Sequence, residues 1–235
     1  MSENGPSILV ISSCGKRKTM SHPDQPTCAS LSNKQQREKA KRKFQKMSMD
    51  AGNLYTGEQA RFVRKSLEVL RLFSSVEHRI LSAGFGLVDE KDLLPPYDCS
   101  FTNKTKKDIQ NMARNLSVPD EVKAIAKEKY ELVYLALGKD YLTAVGDVNV
   151  FSASSRLIVH FNTQFETDAK NFLPINQKLF VGREHNHQIF KVPIGGYIRA
   201  KGSLLLNYAL DLKEENKTPR SLSFKEWWDH KKSLL

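Results

Sequence analysis

A chain of 235 residues with 40% hydrophobic content can bury one large core and is read as one domain. No apolar run approaches the roughly 20 residues that span a membrane, and Cys14, Cys28 and Cys99, an odd set without a C-x-x-C pair, indicate neither a disulfide framework nor a zinc site. The formal net charge of +11, with a pI near 9.5, points to a polyanionic partner, nucleic acid first, because Lys and Arg that neutralise phosphates release counterions; the plainer alternative is a basic protein that merely stays soluble.

The chain opens with its most informative segment. Ile8-Leu9-Val10-Ile11 is an apolar run that stops at Ser12-Ser13-Cys14-Gly15-Lys16-Arg17-Lys18. A buried strand ending this way delivers hydroxyls, backbone N–H groups and positive charge to one point. The run is only about four residues long and cations follow it directly, the reverse of the secretory order, so no signal peptide is read and a reducing cytoplasm is expected.

From Ser21 to Asp50 the composition changes. Asn33 to Lys46 is strongly basic and almost without apolar residues, so it is expected not to pack a core. It is either a solvated loop or a basic helix lying on a phosphate backbone. Helical spacing of Phe62, Val63, Leu67, Leu70 and Phe73 follows over Gly57 to Phe73, then a strand from His78 to Ala83 that ends at Gly84-Phe85-Gly86. Lys104 to Leu116 and Pro119 to Lys129 read as helices, Leu132 to Leu137 and Arg156 to Phe161 as strands, and Ile189 to Val192 as a short fifth strand. Helices complete the chain at Ala200 to Leu212 and Phe224 to Lys232. Short continuous apolar strands separated by helices predict an α/β fold, a three-layer α/β/α sandwich with a mainly parallel central sheet of four to five strands.

Ligands of such sheets bind at the carboxyl ends of the strands. That edge collects Ser12 to Lys16, Ser82 to Leu87, Gly138 to Tyr141 with Lys139 among them, and His160 to Asn162. Asp89 follows the second segment. Asp98 stands in Pro95-Pro96-Tyr97-Asp98, where two prolines restrict the backbone. A rigid carboxylate facing a cationic crevice activates water or stabilises positive charge on a sugar; the alternative for either is a helix cap or an ion pair. Tyr55 and Tyr97 each precede a helix start and are read as stacking rings or as core. Gly195-Gly196-Tyr197-Ile198-Arg199-Ala200-Lys201-Gly202 joins flexible backbone to cations, as a phosphate site would. His185 and His187 are read as a surface loop, with no metal and no cofactor expected.

These segments carry a resemblance. Ser12 to Lys18, Leu54-Tyr55-Thr56-Gly57, Ser82-Ala83-Gly84-Phe85-Gly86-Leu87, Pro96-Tyr97-Asp98, Leu137-Gly138-Lys139-Asp140-Tyr141 and Pro193-Ile194-Gly195-Gly196 look like the ordered signature of a little-characterised bacterial and phage family with Ser-Cys-Gly-Lys, Ser-Ala-x-x-Gly-Leu and Pro-Tyr-Asp segments. The order of strands and their glycine-ended tips are also similar to the uracil-DNA glycosylase superfamily, including the glycosylase-like domain of archaeosine synthase. The departures are two. The water-activating motif after the first strand is replaced by Ser12-Ser13-Cys14-Gly15-Lys16, and only His160-Phe161-Asn162 stands near the place of a His-Pro-Ser motif. The segment from Ser21 to Asp50 is longer than the compact family pattern.

The resemblance implies a glycosylase-like fold, and some phage-defence proteins it extends to remove hypermodified bases such as glucosylated hydroxymethylcytosine. The expected function is therefore a DNA glycosylase, monomeric, acting on double-stranded, modified DNA. Asp98 and Asp89 are the candidate carboxylates, and Ser13, Lys16 and Asn162 the candidate donors, with Lys16 alternatively an amine nucleophile if burial lowers its pKa. Ser12, Cys14, Gly15, Arg17, Lys18, Tyr55, Phe85, Tyr97, Lys139, His160, Tyr197, Arg199 and Lys201 are the candidates for holding base and DNA. The alternatives are a non-catalytic nucleic-acid-binding stress-response module and an enzyme acting on free nucleotides or modified-base precursors.

Overall fold

The computed structural model describes residues 7–161, 169–180, 188–194 and 196–235, with 196–199 described by their backbone. In chain order the strands are β1 (Ser7–Ser13), β2 (Met49–Asp50), β3 (Ser75–Ser82), β4 (Gly86–Asp89), β5 (Leu93–Leu94), β6 (Leu132–Ala136), β7 (Ile158–His160) and β8 (Phe172–Pro174). The helices are α1 (Lys34–Lys43), α2 (Ala51–Leu54), α3 (Glu58–Leu70), α4 (Lys106–Asn115), α5 (Val118–Ile125), α6 (Lys139–Val145), α7 (Gly196–Glu214) and α8 (Phe224–Ser233).

Among the described residues the central sheet has six strands in the order β4-β3-β1-β6-β7-β8, and β2 pairs with β5 apart from it. β1 lies between β3 and β6 and runs parallel to both, with Ser12 level with Ile80 and Ala136; β7 and β8 continue the parallel set. The expected α/β sandwich with a mainly parallel sheet is therefore present, with six strands instead of four to five. The fifth strand was expected at the wrong place. Residues 189–192 form no strand; Ile189 and Phe190 are buried and fill core space from a loop. The added strands are β8, whose terminal Pro174 suits an edge, and β4, which returns antiparallel on β3. Gly86 starts that return at φ +87°, where a Cβ would also meet the Leu116 carbonyl at 2.9 Å.

Alternation along the strands divides the core between the two faces of the sheet. Leu9, Ile11, Val133 and Leu135 pack with Ile109, Ala113, Val122 and Tyr141 of α4, α5 and α6. Ile8, Val10, Leu132 and Tyr134 pack with Leu67 and Leu70 of α3, Leu204 and Tyr208 of α7, and Trp227 of α8. Buried Asp211 ties α7 to α8, accepting from Trp227 Nε1 at 2.7 Å, Lys191 Nζ at 2.8 Å and Lys231 Nζ at 2.9 Å. At Gly202, α7 comes so close to α3 that an added Cβ would meet the Gln59 carbonyl at 2.7 Å.

Two expectations about the segment from Ser21 to Asp50 are corrected. It does reach the core, through Leu31, Ala40 and Phe44, each under a tenth exposed. These are too few and too widely spaced to be conspicuous in a basic run. α1 is capped by Asn33, whose side chain accepts from the Gln36 N–H at 2.9 Å. The second correction is covalent. Cys28 and Cys99 form a disulfide across a sequence separation of 71, although no framework was indicated, because spacing along the chain says nothing about two cysteines that tertiary folding brings to a Cα distance of 4.7 Å. Closing a loop of that length restricts the unfolded chain by about 4 kcal/mol in the entropy model. Reduction with dithiothreitol, or Cys28→Ser with Cys99→Ser, is expected to lower Tm by roughly 8 to 16 °C; an unchanged melting curve would show that the bridge contributes no stability.

Candidate functional site

Because β1, β3, β6 and β7 are parallel, Ser12 to Lys16, the segment from Ser82, Gly138 to Tyr141 and the end of β7 all lie at one edge. The crossover into β3 runs through α3 on one face, whereas β6 leads into α6 on the other, so the chain parts between the carboxyl ends of β1 and β6. Gln59, in the first turn of α3, spans that parting. Its Nε2 donates to the Ala136 carbonyl at 3.0 Å and to Ser13 Oγ at 3.5 Å.

On the α4–α6 face the edge is closed by a hydroxyl network. Ser82 Oγ accepts from the N–H groups of Gly84 and Phe85 and stands 2.8 Å from the Tyr97 hydroxyl, which is 2.7 Å from that of Tyr55. Cys14 Sγ lies 3.0 Å from the Tyr141 hydroxyl. Burial first, and then the electrostatic influence of neighbouring Cys14, pushes the Tyr55, Tyr97 and Tyr141 hydroxyls far above the usual tyrosine range, so all three are neutral. Tyr55 and Tyr97 are 2% and 1% exposed, which removes both rings as stacking platforms. Among the candidates with described side chains, half-buried Phe85 is the aromatic that remains, edge-on to Tyr97 at 5.2 Å with Lys41 Nζ 5.9 Å from its ring.

The cations separate by burial. Lys16 and Arg17 are exposed, and so is Lys139 at the first position of α6, so Lys16 lacks the burial that nucleophilic chemistry would need. Lys18 is half-buried, with Nζ 4.3 Å from the Tyr97 ring and 3.4 Å from the Gly15 carbonyl. Burial lowers its pKa, with Cys14 and Asp98 acting in the opposite direction. Lys201 is 5% exposed and burial brings its pKa down to about 8. The backbone of Tyr197 and Arg199 lies in the first turn of α7, while Asn162, Gly195, His185 and His187 fall outside the described residues.

The two carboxylates part company. Asp98 is exposed, and its loop is held by its own N–H to the Pro26 carbonyl at 2.8 Å and by the neighbouring disulfide. It caps no helix, since Thr105 caps α4, and among the described residues no cation lies within ion-pair distance of it. Asp89 is instead level with Arg79, back from the edge. It bonds that guanidinium at 3.4 Å and accepts from the Lys91 N–H in the turn, so the ion-pair alternative describes it. His160 is also removed from ligand contact, being 1% exposed, edge-on to Phe172 and held neutral with a pKa near 4 by burial.

Sequence reasoning missed one polar chain altogether. Ser12 Oγ lies 2.9 Å from His78 Nε2, His78 Nδ1 lies 3.1 Å from Glu90 Oε2, and Arg71 pairs with the same carboxylate. The only signal was a histidine inside an apolar strand. The bond to His78, together with Arg71, holds the Glu90 carboxyl below its usual range despite partial burial. His78 thus joins the two elements, one ring nitrogen on the Ser12 hydroxyl and the other on the Glu90 carboxylate. Because the folded pKa of Glu90 is lowered, its contribution to stability is complete above the ordinary value of 4.5 and is lost as pH falls through the folded value. Glu90→Gln is expected to lower stability at pH 7 and to flatten its decline below about pH 4.5; an unchanged acid limb in melting curves would deny the pair this role.

Comparison with known proteins adds a family and no activity. No curated protein matches the chain. A family model described as a family of unknown function, DUF6884, matches residues 34–159, from α1 to β7. That stretch holds Tyr55, His78, Glu90, Tyr97, Asp98 and Tyr141, and leaves Ser12 to Lys18 and Lys201 outside it. Spanning just over half of the 235 residues, the match makes the chain a member of the DUF6884 family.

Proposed function

We propose that the chain is a DNA glycosylase that removes a modified base from double-stranded DNA, acting as a monomer in the cytoplasm as part of antiviral defence. Glucosylated hydroxymethylcytosine in phage DNA is the base that the resemblance suggests. The observation carrying this reading is the placement of Asp98, a fixed and exposed carboxylate, beside the cationic end of β1, where its charge acts on Lys18.

Cleavage of an N-glycosidic bond develops positive charge on the sugar and negative charge on the leaving base. Asp98 stabilises the first and takes a proton from the water whose oxygen bonds to C1′. Lys18 and the N–H groups of the turn after β1 stabilise the base as it departs with the bonding pair. Phe85 stacks on the extruded nucleotide, and exposed Lys34, Lys39, Arg42 and Lys43 of α1 meet flanking phosphates. In the cytoplasm thiol reductants keep most cysteines reduced, so Cys28 and Cys99 would act there as a reversible pair. The burial of Tyr55, Tyr97 and His160 favours a second reading, a binding module without chemistry. Abasic sites, revealed by alkali cleavage after incubation with modified DNA, separate the two.

Asp98→Asn keeps the shape of the loop and removes the charge. Single-turnover base release from susceptible phage DNA is expected to fall by about 10²-fold or more with little change in Tm; near-normal release by the folded variant would reject Asp98. Replacing Lys34, Lys39, Arg42 and Lys43 by Gln is expected to weaken duplex binding and flatten log affinity against log salt by about 0.9 per lost phosphate contact. An unaltered slope would take α1 off the interface.

A further inference from the structure

Gln59 and Ser13 form a polar pair at the parting of the sheet, and the direction of each hydrogen bond in it is fixed. The Ala136 carbonyl can only accept, so the amide nitrogen of Gln59 has to be the atom that faces it, at 3.0 Å. Nε2 directs its other proton to Ser13 Oγ at 3.5 Å. Oε1 is then left as an acceptor, and Ser13, whose oxygen accepts from Gln59, is left with a proton to donate. Among the described residues neither has a further partner. Both residues are half-buried at the carboxyl edge, so each keeps some open surface there. The pair is also held in place. Gln59 lies in the first turn of α3, and α7 approaches its backbone so closely at Gly202 that a Cβ there would meet the Gln59 carbonyl at 2.7 Å. On the other side the space is open: among the described residues nothing stands within 4 Å of a Cβ built at Gly57, which precedes α3, or at Gly138, two positions beyond Ala136.

We infer that Gln59 and Ser13 select the base, and that the substrate carries an exocyclic amino group beside an unprotonated ring nitrogen, the edge that cytosine and adenine share. The inference rests on the glycosylase reading for taking the ligand to be an extruded base. Such a base is read on its Watson–Crick edge. Gln59 Oε1 accepts from the amino group, and the Ser13 hydroxyl donates to the ring nitrogen. Uracil, thymine and guanine present a carbonyl beside a ring N–H instead, so acceptor would meet acceptor and donor would meet donor. Each mismatch leaves polar groups of the site and of the base unpaired away from water, which discriminates more strongly than a small change of shape. A substituent on C5 of cytosine leaves this edge free, whereas one on the amino nitrogen removes a donor from it. Both residues act here in recognition, while bond cleavage stays with Asp98 and Lys18.

The test uses the full chain and two duplexes that differ at one base, glucosylated 5-hydroxymethylcytosine or glucosylated 5-hydroxymethyluracil, each opposite a tetrahydrofuran spacer so that extrusion costs are alike. Single-turnover release of the cytosine form is expected to be at least about 100-fold faster than that of the uracil form. Ser13→Ala, which keeps the Gln59 bond to Ala136, and Gln59→Met should each shrink that ratio at least about tenfold, with melting curves reporting whether they fold. A purely structural role would slow both bases alike and leave the ratio unchanged. Equal release of the two bases by the parent chain, or an unaltered ratio in the folded variants, overturns the inference and leaves the glycosylase reading standing. Release of neither base removes the glycosylase reading, and recognition is then decided on the ¹⁵N-labelled parent chain titrated with free deoxycytidine, deoxyadenosine, deoxyuridine and deoxyinosine. Movement of the Gln59 side-chain amide signals with deoxycytidine or deoxyadenosine and not with the two oxo nucleosides upholds the inference and tells a pyrimidine site from a purine site. Movement with all four, or with none, overturns it. If both variants fail to fold, the parent ratio and this titration decide.

Discussion

The parallel pairing of β1 with β3 on one side and β6 on the other is the constraint on which everything else in this molecule depends. A strand buried on both faces has to be apolar through its middle, and Ile8 to Ile11 are fully buried. Polar residues are then tolerated only where the ladder ends. Ser12 and Ser13 are the first positions at which a hydroxyl finds partners, His78 for one and Gln59 for the other. Parallel direction also brings the ends of β3, β6 and β7 to the same edge, so residues far apart in the chain share one environment without any sequence signal that links them.

Around that edge the two faces of the sheet behave differently. The α4–α6 side closes over neutral, mutually bonded hydroxyls, and the segment carrying Asp98 is attached to the one preceding α1 by Cys28–Cys99. The α3–α7 side holds Ser12, His78 and Lys201, buried polar groups that remain affordable only because each has a defined partner or a cation–π surface. The close approach at Gly202 keeps α7 and α3 in fixed register, which positions Lys201 relative to Gln59. Charge is similarly divided: the cations of α1 and the turn after β1 are mostly exposed, whereas Lys18 and Lys201 are drawn into the fold and burial lowers the pKa of both.

What the sequence by itself determined was the class of fold and the address of the crevice. Continuous apolar runs of strand length separated by 3.6-periodic helices leave few arrangements other than a covered parallel sheet, and a parallel sheet has only one carboxyl edge. Periodicity is blind to partners, however. It could not tell that Tyr55 and Tyr97 face inward, that Asp89 stands beside Arg79, or that Ile189 and Phe190 fill the core from a loop, because each depends on which surface packs against that residue. The disulfide and the Ser12–His78–Glu90 chain lay further out of reach. Their members are separated by 71 residues in the first case and by 66 and 12 in the second, and only the tertiary structure decides whether such side chains meet. The same holds for the lysines, whose chemistry follows from burial, a property of the packed chain and not of the residue type.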